Sequence, residues 1–127
     1  MKQSIFTNKA PAAIGPYSQG VSYGDLVFTS GQLPIDPATA AFPPGGIKEQ
    51  TRQSLLNVQA VLEQSGASLN SVIKTTCFLA NMDDFAEFNA IYTDFFGTEN
   101  APARSCIQAA KLPKDALVEV EAIAHKI

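Results

Sequence analysis

At 127 residues the chain has the length of one domain, spanning 1–127, with a core large enough to hold without metal or disulfide. Its 46% hydrophobic and 17% charged residues exclude a disordered chain. Nine basic against twelve acidic side chains, a net charge of −3 with no basic run, count against nucleic acid as a partner. A single histidine, His125, and the absence of a Cys-x-x-Cys pair exclude a multi-histidine metal site, so no metal is expected. The two cysteines, Cys77 and Cys106, read as reduced thiols. The stretch Met1–Ile5 lacks the apolar run of a signal peptide and no segment approaches membrane length, so the expectation is a cytoplasmic protein without membrane contact.

The first element in chain order is a hairpin, in which Val21-Ser22-Tyr23 and Leu26-Val27-Phe28-Thr29 flank Gly24-Asp25. A loop rich in proline and glycine follows, from Pro34 to Gly46. Helical spacing of Thr51, Leu55, Val58 and Leu62 predicts a helix over Ile47–Ser65, with Gly66 placed to end it. Val72–Leu79, rich in β-branched residues, predicts a strand. Asn81 or Asp83 offers an N-cap for a second helix whose inward stripe is Phe85, Phe88, Ile91, Tyr92 and Phe95, closed by Gly97. Strands at Ala103–Ala109 and Leu117–Ala124 complete the chain. The order strand, hairpin, helix, strand, helix, strand, strand predicts an α+β domain with two helices on one face of a mixed sheet.

Period-two alternation divides the last two strands into faces. Ser105, Ile107 and Ala109, with Val118, Val120, Ala122 and Ala124, form the small apolar side expected under the helices. The other side is expected to carry Arg104, Cys106, Glu119 and Glu121 with Leu117 and Ile123. Two helices cannot cover both faces, so this second face is either a half-polar solvated surface with ion pairs or a contact between copies.

The segments Ile14-Gly15-Pro16-Tyr17-Ser18-Gln19, Phe28-Thr29-Ser30-Gly31-Gln32 and Pro102-Ala103-Arg104-Ser105-Cys106, with Val118-Glu119-Val120, resemble the RidA (YjgF) family of reactive-intermediate deaminases. The resemblance runs from near residue 5 to the C-terminus. The Arg-Ser-Cys motif followed by the strand glutamate carries most of its weight. It implies a chorismate-mutase-like α+β subunit and a homotrimer with sites in clefts between subunits. It also implies hydrolysis of 2-iminopropanoate and 2-iminobutanoate to 2-oxo acids and ammonia, with no cofactor.

The resemblance gives residues roles that chemistry makes reasonable. Arg104 would grip the substrate carboxylate in two parallel hydrogen bonds; a structural ion pair with Glu119 or Glu121 is the alternative. Glu119 would position or deprotonate the attacking water, with Glu121 as competitor. Cys106 would contribute backbone groups to substrate binding. A nucleophilic Cys-His pair is not indicated, because His125 lies at the far end of the last strand. Tyr17, Ser30 and the backbone of Gly31 would line the site, Tyr17 within reach of the reacting water or nitrogen. Without that role, Tyr17 is a turn residue and Ser30 a strand-end hydroxyl. Asn89 would line the cleft or else serve as a solvent-facing amide. Phe85, Phe88 and Phe95 read as core. A non-catalytic binder of small 2-oxo acids fits the same residues; a ribonuclease fits the charge balance least.

Overall fold

The computed structural model describes all of residues 1–127. Six strands, β1 (Gln3–Ile5), β2 (Gly20–Tyr23), β3 (Leu26–Thr29), β4 (Val72–Leu79), β5 (Ala103–Gln108) and β6 (Val118–His125), form one sheet in the order β1-β2-β3-β6-β4-β5. Every pairing is antiparallel except β4 with β5, whose parallel alignment requires the crossover supplied by α2 (Phe85–Phe96). This is the α+β arrangement expected, with α1 (Ile47–Gln64) and α2 covering one face.

Local chemistry explains the boundaries. Gly24 turns the β2–β3 hairpin at φ +58°. At the head of α1, Glu49 Oε1 accepts from the Gly46 amide at 2.8 Å. At its tail Gly66 adopts φ +86°, its amide donates to the Glu63 carbonyl (3.2 Å), and the Ala67 amide reaches back to Leu62 (3.0 Å). The start of α2 differs from expectation. Asn81 caps a short 3-10 turn, Met82–Asp84, by accepting from the Asp83 amide at 2.8 Å, and Asp84 holds the N-cap position of the helix itself. Asp83 therefore caps nothing.

The core lies between the helices and the sheet. Leu55, Val58, Val61 and Leu62 of α1 are fully buried against Val27, Val118 and Val120 of β3 and β6. Each such side chain contributes about 1.5–3 kcal/mol from burial. Thr51, on the same stripe, buries a hydroxyl that meets no partner. Thr51→Val keeps the shape and removes that orphan, so thermal denaturation should show a protein more stable by about 1 kcal/mol.

The register corrects the expected faces of β5. Arg104 pairs with Thr75 and Cys106 with Cys77, both fully buried beneath the helices. Arg104 and Cys106 therefore project to the helix side. Ser105 and Ile107, exposed, take the other side in rows with Thr76–Glu121 and Phe78–Glu119. β6 has the expected phase: Val118, Val120, Ala122 and Ala124 are buried, while Glu119, Glu121 and Ile123 face away. Leu117 precedes the strand and packs against the core instead of joining that outer face. Arg104 and Glu119, expected together, lie on opposite faces of one sheet.

Candidate functional site

The predicted site residues fall into two groups. Tyr17, Ser30, Gly31 and Glu119 line one cleft of about 940 Å³, and Glu121 shares it. Arg104, Cys106 and Asn89 gather at the edge of the sheet beside α2.

The cleft is walled by two loops, each held by a buried amide. Gln19 (3% exposed) accepts from the Thr7 amide at 2.7 Å and donates to the carbonyls of Thr7 (3.0 Å), Ala10 (3.2 Å) and Pro11 (2.7 Å). Asn57, fully buried in α1, donates to the carbonyls of Leu33 (3.0 Å) and Ile35 (2.9 Å). Ser54 donates to Gln32, whose amide bonds to the Val120 carbonyl at 2.8 Å. These polar groups shape the cleft, and the sequence reading gave them no role. The available signal was four polar residues, Gln50, Thr51, Ser54 and Asn57, on the buried face of α1, where an amphipathic helix would otherwise be apolar.

Within the cleft, Ser30 donates to the Ser18 carbonyl at 2.5 Å, which fixes the strand end and uses the hydroxyl proton. Tyr17 is half exposed, its phenol contacting only the Ile14 amide at 3.5 Å. Glu119 packs its carboxylate against Gly31, where any Cβ would collide with Oε2. The same carboxyl is held above the usual carboxylate range, first by burial and then by the charge of Glu121. A carboxyl raised by its surroundings at the wall of a cleft is a candidate for proton transfer.

At the sheet edge, Arg104 Nη1 donates to Asn89 Oδ1 at 2.7 Å. The guanidinium carbon lies 4.7 Å from the ring centre of Tyr92, 5.4 Å from Phe85 and 5.9 Å from Phe88. Phe88 is thus core, as expected, but also part of a cage around a cation. The one ion pair of the chain joins Lys111 and Asp115 on the surface at 3.0 Å. The alternative in which Arg104 pairs with Glu119 or Glu121 is therefore excluded, and a half-buried cation stands without an anion. Asn89 spends its carbonyl on Arg104, which leaves its amide protons free. Burial pushes the Cys106 thiol up and Arg104 only partly offsets this. Cys77 is pushed up to about 12, chiefly by burial. Neither sulfur has the character of an activated thiolate.

Known proteins of similar sequence and fold bear on this arrangement. The chain is 51% identical over 126 residues to a Salmonella typhimurium protein named 2-iminobutanoate/2-iminopropanoate deaminase, covering 98% of each. It is 50% identical over 125 residues to a RutC family protein of Pyrococcus abyssi, again covering 98% of each. The crystal structure of E. coli TdcF with bound serine superposes with a TM-score of 0.92 at 46% identity, over 98% of this chain and 99% of that one. The sequence model of the family described as Endoribonuclease L-PSP matches residues 7–126. With Arg104-Ser105-Cys106 and Glu119 in place on the matching fold, the chain belongs to that family, the one that includes YjgF and RidA.

Proposed function

We propose that the chain hydrolyses short 2-imino acids, 2-iminopropanoate and 2-iminobutanoate among them, to 2-oxo acids and ammonia. The observation that carries this reading is the caged, half-buried guanidinium of Arg104 with no anion in its own chain. A carboxylate is the natural complement of that fork, and two charge-assisted bonds contribute about 1.5–3 kcal/mol each. The free amide protons of Asn89 add a donor for the same group. The deaminase name of a half-identical relative and the amino acid bound by TdcF, which also carries an α-carboxylate, support the same substrate class.

The chemistry needs little from the protein. Water adds to the C=N carbon and gives a proton to the Glu119 carboxylate, which passes it to the nitrogen; the resulting carbinolamine gives its hydroxyl proton to the amino group by the same carboxylate and collapses to the C=O with loss of ammonia. Glu119 supplies the base and Tyr17 a hydroxyl at the same cleft. Ser30 and Gly31 shape the wall, and Cys106 offers backbone groups beside Arg104.

A substrate of a few atoms cannot touch Arg104 and Glu119 of one chain through the sheet between them. The working site is therefore completed by a second copy, the edge carrying Arg104 meeting the neighbour's cleft; the resemblance to RidA proteins makes the assembly a cyclic trimer. The outer sheet face agrees with such an assembly: Phe28 (39% exposed) and Ile107 (52%) stand there among Glu119, Glu121 and Lys74, a mixture of apolar and charged groups that a second copy could cover. The endoribonuclease of the family description fits this chain less well, since an acidic protein with no basic stripe has nothing to follow a phosphate backbone.

The direct test generates 2-aminoacrylate with a serine dehydratase and follows imine decay with and without the protein. Acceleration supports the reading. A folded oligomer that binds 2-oxobutanoate without accelerating decay would select the non-catalytic binder. In the same assay Gly31→Ala, which must displace the Glu119 carboxylate, should lower kcat by about 100-fold with little change in melting temperature.

A further inference from the structure

Arg104 reaches the helix side of the sheet as a long side chain with many rotamers, yet bidentate binding needs its plane fixed. Four residues of α2 face it at helical spacing: Phe85, Phe88, Asn89 and Tyr92 lie at i, i+3, i+4 and i+7 on one stripe. Of the three rings Tyr92 approaches closest, and it is held in place from two sides. Its hydroxyl is 2.7 Å from Thr75 Oγ1, a bond buried in the core. Its ring is flanked by Phe96 at 4.6 Å and Phe88 at 5.6 Å. Thr75 is also the register partner of Arg104 across the β4–β5 ladder. The backbone of Arg104 and the ring over its far end are thus both referenced to one residue of β4.

We propose that Tyr92 is a positioning residue that orients the Arg104 guanidinium, so that the donors not spent on Asn89 meet the substrate carboxylate together. The inference rests on the reading that Arg104 binds that carboxylate. Tyr92 touches no substrate; it acts through the electrostatic attraction of its ring for the cation and through the ring's fixed placement. Asn89 supplies the in-plane hydrogen bond and Tyr92 the constraint from the face. Together they remove the rotamer freedom that a free arginine would lose only on binding.

The test holds shape constant and varies the ring's charge distribution. The oligomer is prepared as Tyr92→Phe and with monofluoro, difluoro and trifluoro phenylalanine at the same position. Each form is titrated with 2-oxobutanoate and with its neutral analogue 2-oxobutanamide. Fluorine withdraws electron density from the ring face without emptying the space. The preference for carboxylate over amide should therefore fall stepwise, by about tenfold across the series, while amide affinity stays within about twofold. In imine turnover the same series should raise KM and leave kcat nearly unchanged. A flat carboxylate preference across the folded series, with that preference intact in the unmodified protein, would overturn the positioning role alone. An unmodified protein that does not distinguish carboxylate from amide would overturn the function assigned to Arg104, and the positioning role with it.

Discussion

Arg104→Ala and Glu119→Gln proteins are each expected to be inactive alone and to regain activity when unfolded together and reassembled. Arg104→Ala removes both charge-assisted bonds, together about 3–6 kcal/mol, so kcat/KM should fall by roughly 10² to 10⁴. Glu119→Gln removes the base with similar severity. If each site takes its arginine from one copy and its glutamate from the next, random mixing restores both groups in about a quarter of the sites of a cyclic oligomer. If both groups acted from one chain, no mixture could recover anything. The placement of Arg104 and Glu119 on opposite faces of the sheet calls for the first outcome. Recovery is read as imine turnover after gel filtration, and its complete absence in a properly assembled mixture would refute the shared site. Arg104→Lys should recover little, since an ammonium keeps the charge but not the planar fork that Asn89 and the aromatic cage hold.

The second large effect concerns pH. Burial and the neighbouring charge of Glu121 hold the Glu119 carboxyl above its ordinary range. As a base it works only when ionised, so the acid limb of kcat/KM should lie at higher pH than a free carboxylate would give. Removing the charge with Glu121→Gln should move that limb to lower pH, and Glu119→Gln should abolish it along with most of kcat. Stability should respond in the opposite sense. A raised folded value means that the fold favours the protonated carboxyl, a contribution complete below the unfolded carboxylate range and lost as pH rises through the folded value. At neutral pH, Glu119→Gln therefore removes an unfavourable buried charge, and its melting temperature should equal or exceed that of the parent. A limb unmoved by Glu121→Gln would mean that another group titrates in the rate. A Glu119→Gln protein that melts lower would mean that the carboxylate has a structural partner.

Local pattern carried most of the fold. The hairpin at Gly24-Asp25, the helix ended by Gly66 and the strand Val72–Leu79 were legible because turn chemistry and periodicity act over a few residues. The short strand Gln3–Ile5 left no bounds in the sequence, since three residues are too few to show a period. The cap of α2 was placed one turn too simply, because Asn81 serves a 3-10 turn that precedes the helix.

The chemistry of the proposed site rests on residue types that the sequence displays: a guanidinium, a strand carboxylate, a loop tyrosine and serine. Their arrangement was not legible there. The phase of β5 depends on its parallel register with β4, a pairing made across the whole of α2, and an edge strand reading Ala-Arg-Ser-Cys-Ile-Gln has no clear apolar face from which to infer it. Only tertiary pairing could place Arg104 beside Thr75, under Tyr92 and away from Glu119. Only packing could turn a stripe of core aromatics into a cage for a cation. The sequence by itself determined which groups this protein can bring to a reaction. The tertiary structure decided that a single chain does not bring Arg104 and Glu119 to the same place, because their rows, at Thr75 and Phe78, are an odd number of residues apart and so stand on opposite sides of the sheet.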